Sequence, residues 1–548
     1  MSTGATAPSA VLAFSPPVES FTPGERELLE PFFTNLDRPV FALRNMPETV
    51  KGALFARYSR YPGTLRRLFL EEFAADVDPA AARAALATGE GERARKLYER
   101  VFLGFGDDSV AQLGGAHVAC EWVSNALTKV LERGRLAAYL EQSTRYIPYD
   151  RPMPDGRYRY WRCPALGPSY ERTLDRLFEI YSVALQRAEA WAEAHFPRPD
   201  RESAAAWRRA VRAKALDLVR GILPVASLSH VGVFASGQAY EQLLLRLFAN
   251  PLPEAQQVGE LLLAELEKVI PSFVQRVRRP DRGSVWIDYL RGLRERARQA
   301  AHRLGIPDAG EVADGGGASV RLVRVRGSEE EALAALLYEA SGASEEKLLA
   351  AVRALSSAER AALLRELAGE RRNRRHRPGR GLEAISYRFE IVSDYGAFRD
   401  LQRHRMLTSQ WQALTPRLGA ELPAEAQAAG IADLFREAFA ISQREWERIA
   451  HELELPELAP YALCLAFRIR YVLDLNAREA LHLVELRSGR EGHPSYRAVA
   501  LAMLDEIARV HPAIAALFDH ADRTTEPRLE RLLAEIRNER NSRAPGLL

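Results

Sequence analysis

Three stretches of this 548-residue chain set chemically capable side chains at spacings that could build a site. The first is Arg403-His404-Arg405. Two guanidinium groups flanking an imidazole can grip a phosphate or a pyrimidine carbonyl in fork geometry while the imidazole packs on a ring. The second is Asn476-Ala477-Arg478, followed by His482 and Arg487. Arg478 and His482 are four apart and share a helix face, whereas Arg487 falls about half a turn away from Arg478. Asn476 has a second reading, because Asn with Glu479 three residues on is a helix-start signature. The third is the run from Arg371 to Glu383, RRNRRHRPGRGLE. A charge run of this kind is ordinarily a solvated loop, but this many Arg beside Glu383 could hold a phosphate or pyrophosphate.

The elements that must position these residues read as two passes of one plan. Leu434, Phe435, Ala438, Phe439, Ile441 and Trp446 fall on one helix face, and 259–270, 285–304 and 496–518 read as helices too. Strands are expected at Val40 to Leu43 and at Val320 to Val325, the latter alternating apolar residues with Arg. VFALRNMPETVKGALFARYS, from Val40, parallels VRLVRVRGSEEEALAALLYEAS, from Val320. Glu121-Trp122-Val123-Ser124-Asn125 leads to Arg133-Gly134-Arg135, as Glu390-Ile391-Val392-Ser393-Asp394 leads to Arg403-His404-Arg405. A helix ending in Leu-Arg follows in each pass, Tyr240 to Arg246 and Ala480 to Arg487. Three matches in one order indicate an internal repeat. Breakers at Pro280 to Gly283 and at Gly315 to Gly317 then divide the chain into a disordered lead-in (1–17), an N-terminal half (18–304), a linker (305–317) and a C-terminal half (318–548).

Bulk properties narrow the function classes. Seventy-six basic and 73 acidic side chains leave a formal charge of +3. That gives no whole-molecule pull toward nucleic acid or membrane, so an anion site must be local. No apolar run is long enough to cross a bilayer, and Met1 to Pro17 lacks a secretory pattern. Cys120, Cys163 and Cys464 form no CxxC pair, so a cytoplasmic location is expected. There is no HExxH and no Cys–His metal spacing, and no metal site is expected. P-loop and GxGxxG motifs are absent, and Gly104-Phe105-Gly106 does not substitute for one. His117, His230 and His511 read as structural.

The arginine segments resemble the flavin-dependent thymidylate synthase family. Its signature is Arg-His-Arg, seven residues, then Ser, within a run ending Ser-x-Arg-Tyr. RGRLAAYLEQSTRY in the first half matches at Glu141, Ser143, Arg145 and Tyr146, but Gly134 replaces the His. The second half keeps Arg403-His404-Arg405 but has Ala413 at the Ser position, with Thr415 and Arg417 as possible substitutes. Asn476-Ala477-Arg478, with Arg487 nine residues beyond Arg478, matches a further family segment. There the first half has Ala235 to Gln238 and retains Arg246. Glu383 stands at the family's flavin-side Glu, where the first half has Asp107, Asp108 and Ser109.

The resemblance implies an α+β fold of two tandem domains, with helices packed on antiparallel sheets. It implies FAD, with NADPH and methylenetetrahydrofolate as co-substrates, and conversion of dUMP to dTMP without a protein nucleophile. Arg487 would be catalytic, stabilising negative charge on uracil. Glu141, Ser143, Arg145, Arg403 and Arg487 would bind dUMP. Glu383, Arg403, His404, Arg405, Asn476, Arg478 and His482 would bind FAD. Because the halves keep different parts of the signature, a composite site drawing on both is expected, in a homodimer that imitates the family tetramer. Gly134, Ala413 and the missing Asn-Ala-Arg favour a competing reading, a non-catalytic or retasked flavin–nucleotide binding protein. A nucleic-acid-binding reading rests on 371–380 alone, and the near-neutral charge weighs against it.

Overall fold

In a computed structural model of the chain, the residues described are 16–86, 96–97, 109–153, 155–198, 203–306 and 318–524, with a few more up to 539. The expected lead-in up to residue 15, Gly104 to Asp108, the side chain of Ser109, and 307–317 of the expected linker lie outside them. Two compact units are present. One comprises Met1–Ser182, Leu223–Asp308 and Ala440–Leu463; the other comprises Val183–Ile222, Ala309–Phe439 and Cys464–Leu548. Each sequence half therefore lends a segment to the unit built mainly from the other half.

In the first unit, β1 (Val40–Leu43), β2 (Gly115–Ser124), β3 (Ala137–Glu141) and β4 (Leu228–Ser236) form an antiparallel sheet of order β1-β2-β4-β3. Helix α1 (Asn125–Leu131) follows β2, and α2 (Gly237–Phe248) follows β4, then α3 (Pro253–Leu266) and α4 (Val285–Arg303). Strand side chains alternate between faces. Val40, Ala42, Val118 and Cys120 pack with Leu244, Leu262 and Leu266 of the helices. Phe41, Leu43 and Ala119 meet Phe32, Leu54 and Phe69 from the segment before and after β1. This sheet is thus covered on both faces.

The second unit repeats the order. Strands β5 (Ser319–Arg326), β6 (Ser386–Asp394), β7 (Leu407–Trp411) and β8 (Arg468–Asn476) pair as β5-β6-β8-β7. Helix α5 (Tyr395–Leu401) follows β6, and α7 (Ala477–Arg487) then α8 (Pro494–Val510) follow β8. The helix expected around 434–446 is α6, Ala432–Glu447, of which the part up to Phe439 belongs to this unit and the part from Ala440 to the first. Tyr387, Phe389, Ile391, Tyr471, Leu473 and Leu475 are buried, while Arg388, Glu390 and Asp474, alternating with them, are only partly so. One wet face explains why β5 alternates apolar residues with Arg. The fold is α+β, two antiparallel four-stranded sheets with helices packed on them, as the sequence implied. Among the described residues, no helix is long and apolar enough to cross a membrane.

Candidate functional site

Backbone register assembles the site in the second unit. Leu407 at the start of β7 lies opposite Leu475 at the end of β8. Arg403-His404-Arg405 precede Leu407 with Met406 between, and the residues just after Leu475 open α7. Both are fixed by caps. Asp394 accepts the Ala397 N–H at 2.9 Å and starts α5, which ends two residues before Arg403. Asn476 accepts the Glu479 N–H at 2.8 Å and starts α7. The helix-start reading of Asn476 therefore describes what its side chain does.

At this junction His404 is buried. Its Nδ1 lies 2.9 Å from a Glu479 carboxylate oxygen, and its Nε2 accepts the Arg487 Nε–H at 3.1 Å. The His482 ring lies edge-on at 5.5 Å. Glu479 and His482, three apart, share a face of α7. The Arg487 guanidinium is 5.5 Å from the centre of the Tyr496 ring, and one of its terminal nitrogens is 3.9 Å from the Asp400 carboxylate. Asp400 also pairs with Arg220 at 3.2 Å. Arg220 comes from the first half of the sequence but belongs to this unit.

Burial, reinforced by Arg487 and Arg377, holds the His404 pKa well below the usual imidazole range. Burial, with Arg377, His404 and Arg374 acting in the same sense against Glu479, brings His482 down to about 4. Both imidazoles are neutral at physiological pH. His404, Glu479 and His482 place ligand-type atoms within 4.8 Å of one another, a geometry that could take a metal ion. Yet both His404 nitrogens already have partners, and Arg487, Arg377 and Arg374 make the field positive. That field suits an anion better than a dication.

The basic run divides into two roles. Arg371 is not part of a solvated loop. It is buried, forms a two-pronged pair with Glu485 at 2.8 and 2.5 Å, and donates to the Leu517 carbonyl at 2.6 Å. The side chains of Arg374 and Arg377 are exposed. Arg478 donates to the Pro378 carbonyl at 2.9 Å and lies 3.6 Å from Glu383, which also pairs with Arg380 at 3.2 Å. Arg478 and Glu383 thus clamp the loop against α7. Arg403 is half-buried and Arg405 exposed.

The first unit treats its own version differently. Gly134 stands where His404 stands in the second pass, and a Cβ built there would lie 2.6 Å from the Tyr139 hydroxyl and 3.3 Å from an Arg246 terminal nitrogen. Tyr139 donates that hydroxyl to the Gly134 carbonyl at 3.2 Å. Counted from its cap, Arg246 comes one residue earlier on α2 than Arg487 does on α7. The space of an imidazole is filled by Tyr139 and Arg246. Glu141 is buried with Lys129 at 3.4 Å. The Ser143 N–H donates to the Ser59 carbonyl at 3.2 Å, and its hydroxyl accepts the Arg145 N–H at the same distance. Tyr146 lies under the Arg60 guanidinium at 4.7 Å.

The structure thus brings His404, Asn476, His482 and Arg487 together, with Arg478 and Glu383 on the adjoining loop. Glu141, Ser143 and Arg145 are in the other unit. Sequence reasoning missed Glu479 as more than a capping partner, although its three-residue spacing to His482 was a signal. Asp400, Tyr496 and Arg220 carried none.

Two segments of the chain, residues 68–272 and 322–513, match the family model described as thymidylate synthase complementing protein, Thy1. The chain belongs to the Thy1 family. One matched segment falls in each sequence half, the first beginning beyond β1 and the second within β5. Relatives span the chain. The UPF0159 protein of Chlamydia muridarum is 39% identical over 543 residues, covering 94% of this chain and 98% of its own length. That of Thermoplasma acidophilum is 33% identical, covering 91% and 99%. A solved structure similar to part of this Thy1 chain is the UMP/dUMP methylase PolB of Streptomyces cacaoi bound with 5-Br dUMP. It is 18% identical, with a TM-score of 0.31, and covers 38% of this chain and 98% of its own.

Proposed function

We propose that this chain is an FAD-dependent thymidylate synthase that makes dTMP from dUMP with methylenetetrahydrofolate and NADPH, and that its working residues centre on the second unit. The observation that carries this reading is Arg487, steadied by His404, Asp400 and Tyr496 beside the Arg-His-Arg turn of a Thy1 chain. A fixed guanidinium aimed at a pyrimidine carbonyl stabilises negative charge on the ring, and no protein nucleophile is required. The exposed Arg374 and Arg377 beside two neutral imidazoles are a donor set suited to the pyrophosphate and ring of FAD. When bound, FAD supplies the hydride-carrying chemistry, and the chain's own residues bind, orient and neutralise. The reading extends to a cytoplasmic homodimer.

Gly134 supports a second reading. With the first imidazole position closed by Tyr139, the chain could retain flavin and nucleotide binding without turnover. Tritium release from 5-tritiated dUMP, with NADPH and methylenetetrahydrofolate, decides between the two. Release, with rescue of a thymidine-requiring strain, is the expected result. A yellow flavoprotein that binds dUMP but releases no tritium would select the retasked reading, and a colourless protein without dUMP binding would remove both.

A further inference from the structure

Arg487 has a supporting partner that its sequence context conceals. A guanidinium can only donate, so the Arg487 Nε–H that points at His404 Nε2 from 3.1 Å requires a lone pair there. A neutral imidazole carries one proton, which must then sit on Nδ1, and Nδ1 faces the Glu479 carboxylate at 2.9 Å. The partner of one ring nitrogen decides the state of the other. His404 and Glu479 are both buried, so solvent does not blur this choice.

We infer that Glu479 is a positioning residue: it holds His404 in the Nδ1–H tautomer, so that Nε2 accepts from Arg487 and fixes the plane of the guanidinium that meets the substrate. Glu479, His404 and Arg487 form a linear relay in which orientation, not a proton, is passed along. The geometry explains why the carboxylate is spent on His404. A Glu three residues after an N-cap would ordinarily reach back to the cap's own N–H, but here only the reverse bond, from the Glu479 N–H to Asn476, is present in the cap. Gln at 479 can still accept from Nδ1–H through its carbonyl oxygen, whereas Leu cannot. Without that acceptor, either nitrogen can carry the proton. A proton on Nε2 would face the Arg487 Nε–H, two donors opposed, and turn the guanidinium away.

The inference rests on the proposed thymidylate synthase reading only for what Arg487 does, and its first test does not use turnover. Long-range nitrogen-15 NMR of the imidazoles in the full chain, with H404N to assign the signals, should show His404 Nε2 as the unprotonated nitrogen in wild type. E479Q should keep that pattern and E479L should lose it. In dUMP turnover, E479L should fall about tenfold or more in kcat/KM, the worth of one hydrogen bond to a charged group. The loss should lie mainly in kcat, with E479Q recovering most of it. A wild-type His404 protonated on Nε2 overturns the relay whatever the variants do, even should E479L not fold. So does an E479Q as impaired as E479L. A wild type with the expected tautomer but no dUMP turnover leaves the relay standing and removes the functional reading instead.

Discussion

The Arg-His-Arg turn stood out in the sequence because two guanidiniums around an imidazole are a specific donor set, and the α7 residues that meet its His404 were legible from their spacing. Their partners were not. Asp400, Tyr496 and Arg220 reach Arg487 or its ion pair through the fold, and nothing in their local sequence announces it. The contacts around Arg487 give a sharp expectation. Lys keeps the charge but loses the planar fork and the Nε–H that His404 accepts, so Arg487→Lys should lower kcat/KM for dUMP about a hundredfold with little change in melting temperature. A variant within threefold of wild type, in steady-state assay, would show that charge alone suffices. In the first unit, Gly134 makes the converse prediction. A methyl group there meets the Tyr139 hydroxyl at 2.6 Å, but the ring carbon behind it at 3.9 Å. Gly134→Ala should therefore cost about 1 kcal/mol, and clearly less in a Tyr139→Phe background, where only the 3.3 Å approach to the Arg246 terminal nitrogen remains. Denaturant unfolding of the four proteins in that cycle measures the coupling, and additive effects would refute the crowding.

The element scale shows a contact kept while its parts were exchanged. In the first unit Ser124, the cap of α1, gives its N–H and hydroxyl to Glu254 of α3 at 2.7 and 2.5 Å, and Tyr461 donates to the same carboxylate at 2.6 Å. In the second, the cap of α5 is Asp394 and the helix residue is Ser495, whose hydroxyl donates to it. Carboxylate and hydroxyl have traded places between strand end and helix. Alternation in β5 and the face of α6 were legible because periodicity is local. This pairing was not, because each residue alone reads as an ordinary cap or an ordinary helix Glu. Burial, against hydrogen bonds from Ser124 and Tyr461, raises Glu254 to about 7. An unfolded Glu ionises near 4.3, so the folded state binds the proton more tightly between about 4.3 and 7. Stability from this group is complete below that window and is lost as pH rises through it, by on the order of 3 kcal/mol. His404 and His482, held low, act in the opposite sense in the same range. The difference between wild type and Glu254→Gln isolates the carboxylate. The variant should gain on wild type from pH 5 to pH 8 in thermal melts, and parallel curves would show that Glu254 does not titrate there.

At the scale of the whole molecule, repeat and compact unit are different divisions of the same chain. Repeats are read along the sequence, and the order of strands in the two sheets follows them. Compactness is a matter of space, and by that measure Val183–Ile222 belongs with the second unit and Ala440–Leu463 with the first. No local pattern could announce this, since an amphipathic helix has an apolar face but no address on it. The loaned segments carry specific contacts. In the first unit Tyr461 satisfies the buried Glu254 and stacks on Trp161 at 4.5 Å. In the second, Lys214 pairs with Glu425 at 2.8 Å, Asp217 with Arg531 at 2.9 Å, and Arg220 with Asp400. A fragment of residues 18–304 would leave Glu254 a buried carboxyl group without its Tyr461 donor, and would lack Ile449 and Leu458, which are buried in the full chain. One of residues 318–548 would lose Arg220 from beside Arg487's Asp400. Removing a hydrogen-bonding or ion-pair partner from such a carboxyl group costs about 1–3 kcal/mol, a sizeable share of the roughly 5–15 kcal/mol that a native protein commands. Expressed singly, each fragment should be aggregated or should melt without a cooperative transition. Adding 440–463 to the first by a flexible linker should restore one. A fragment of residues 18–304 that melts cooperatively at the temperature of the full chain would show that the loaned segment contributes nothing essential to its unit.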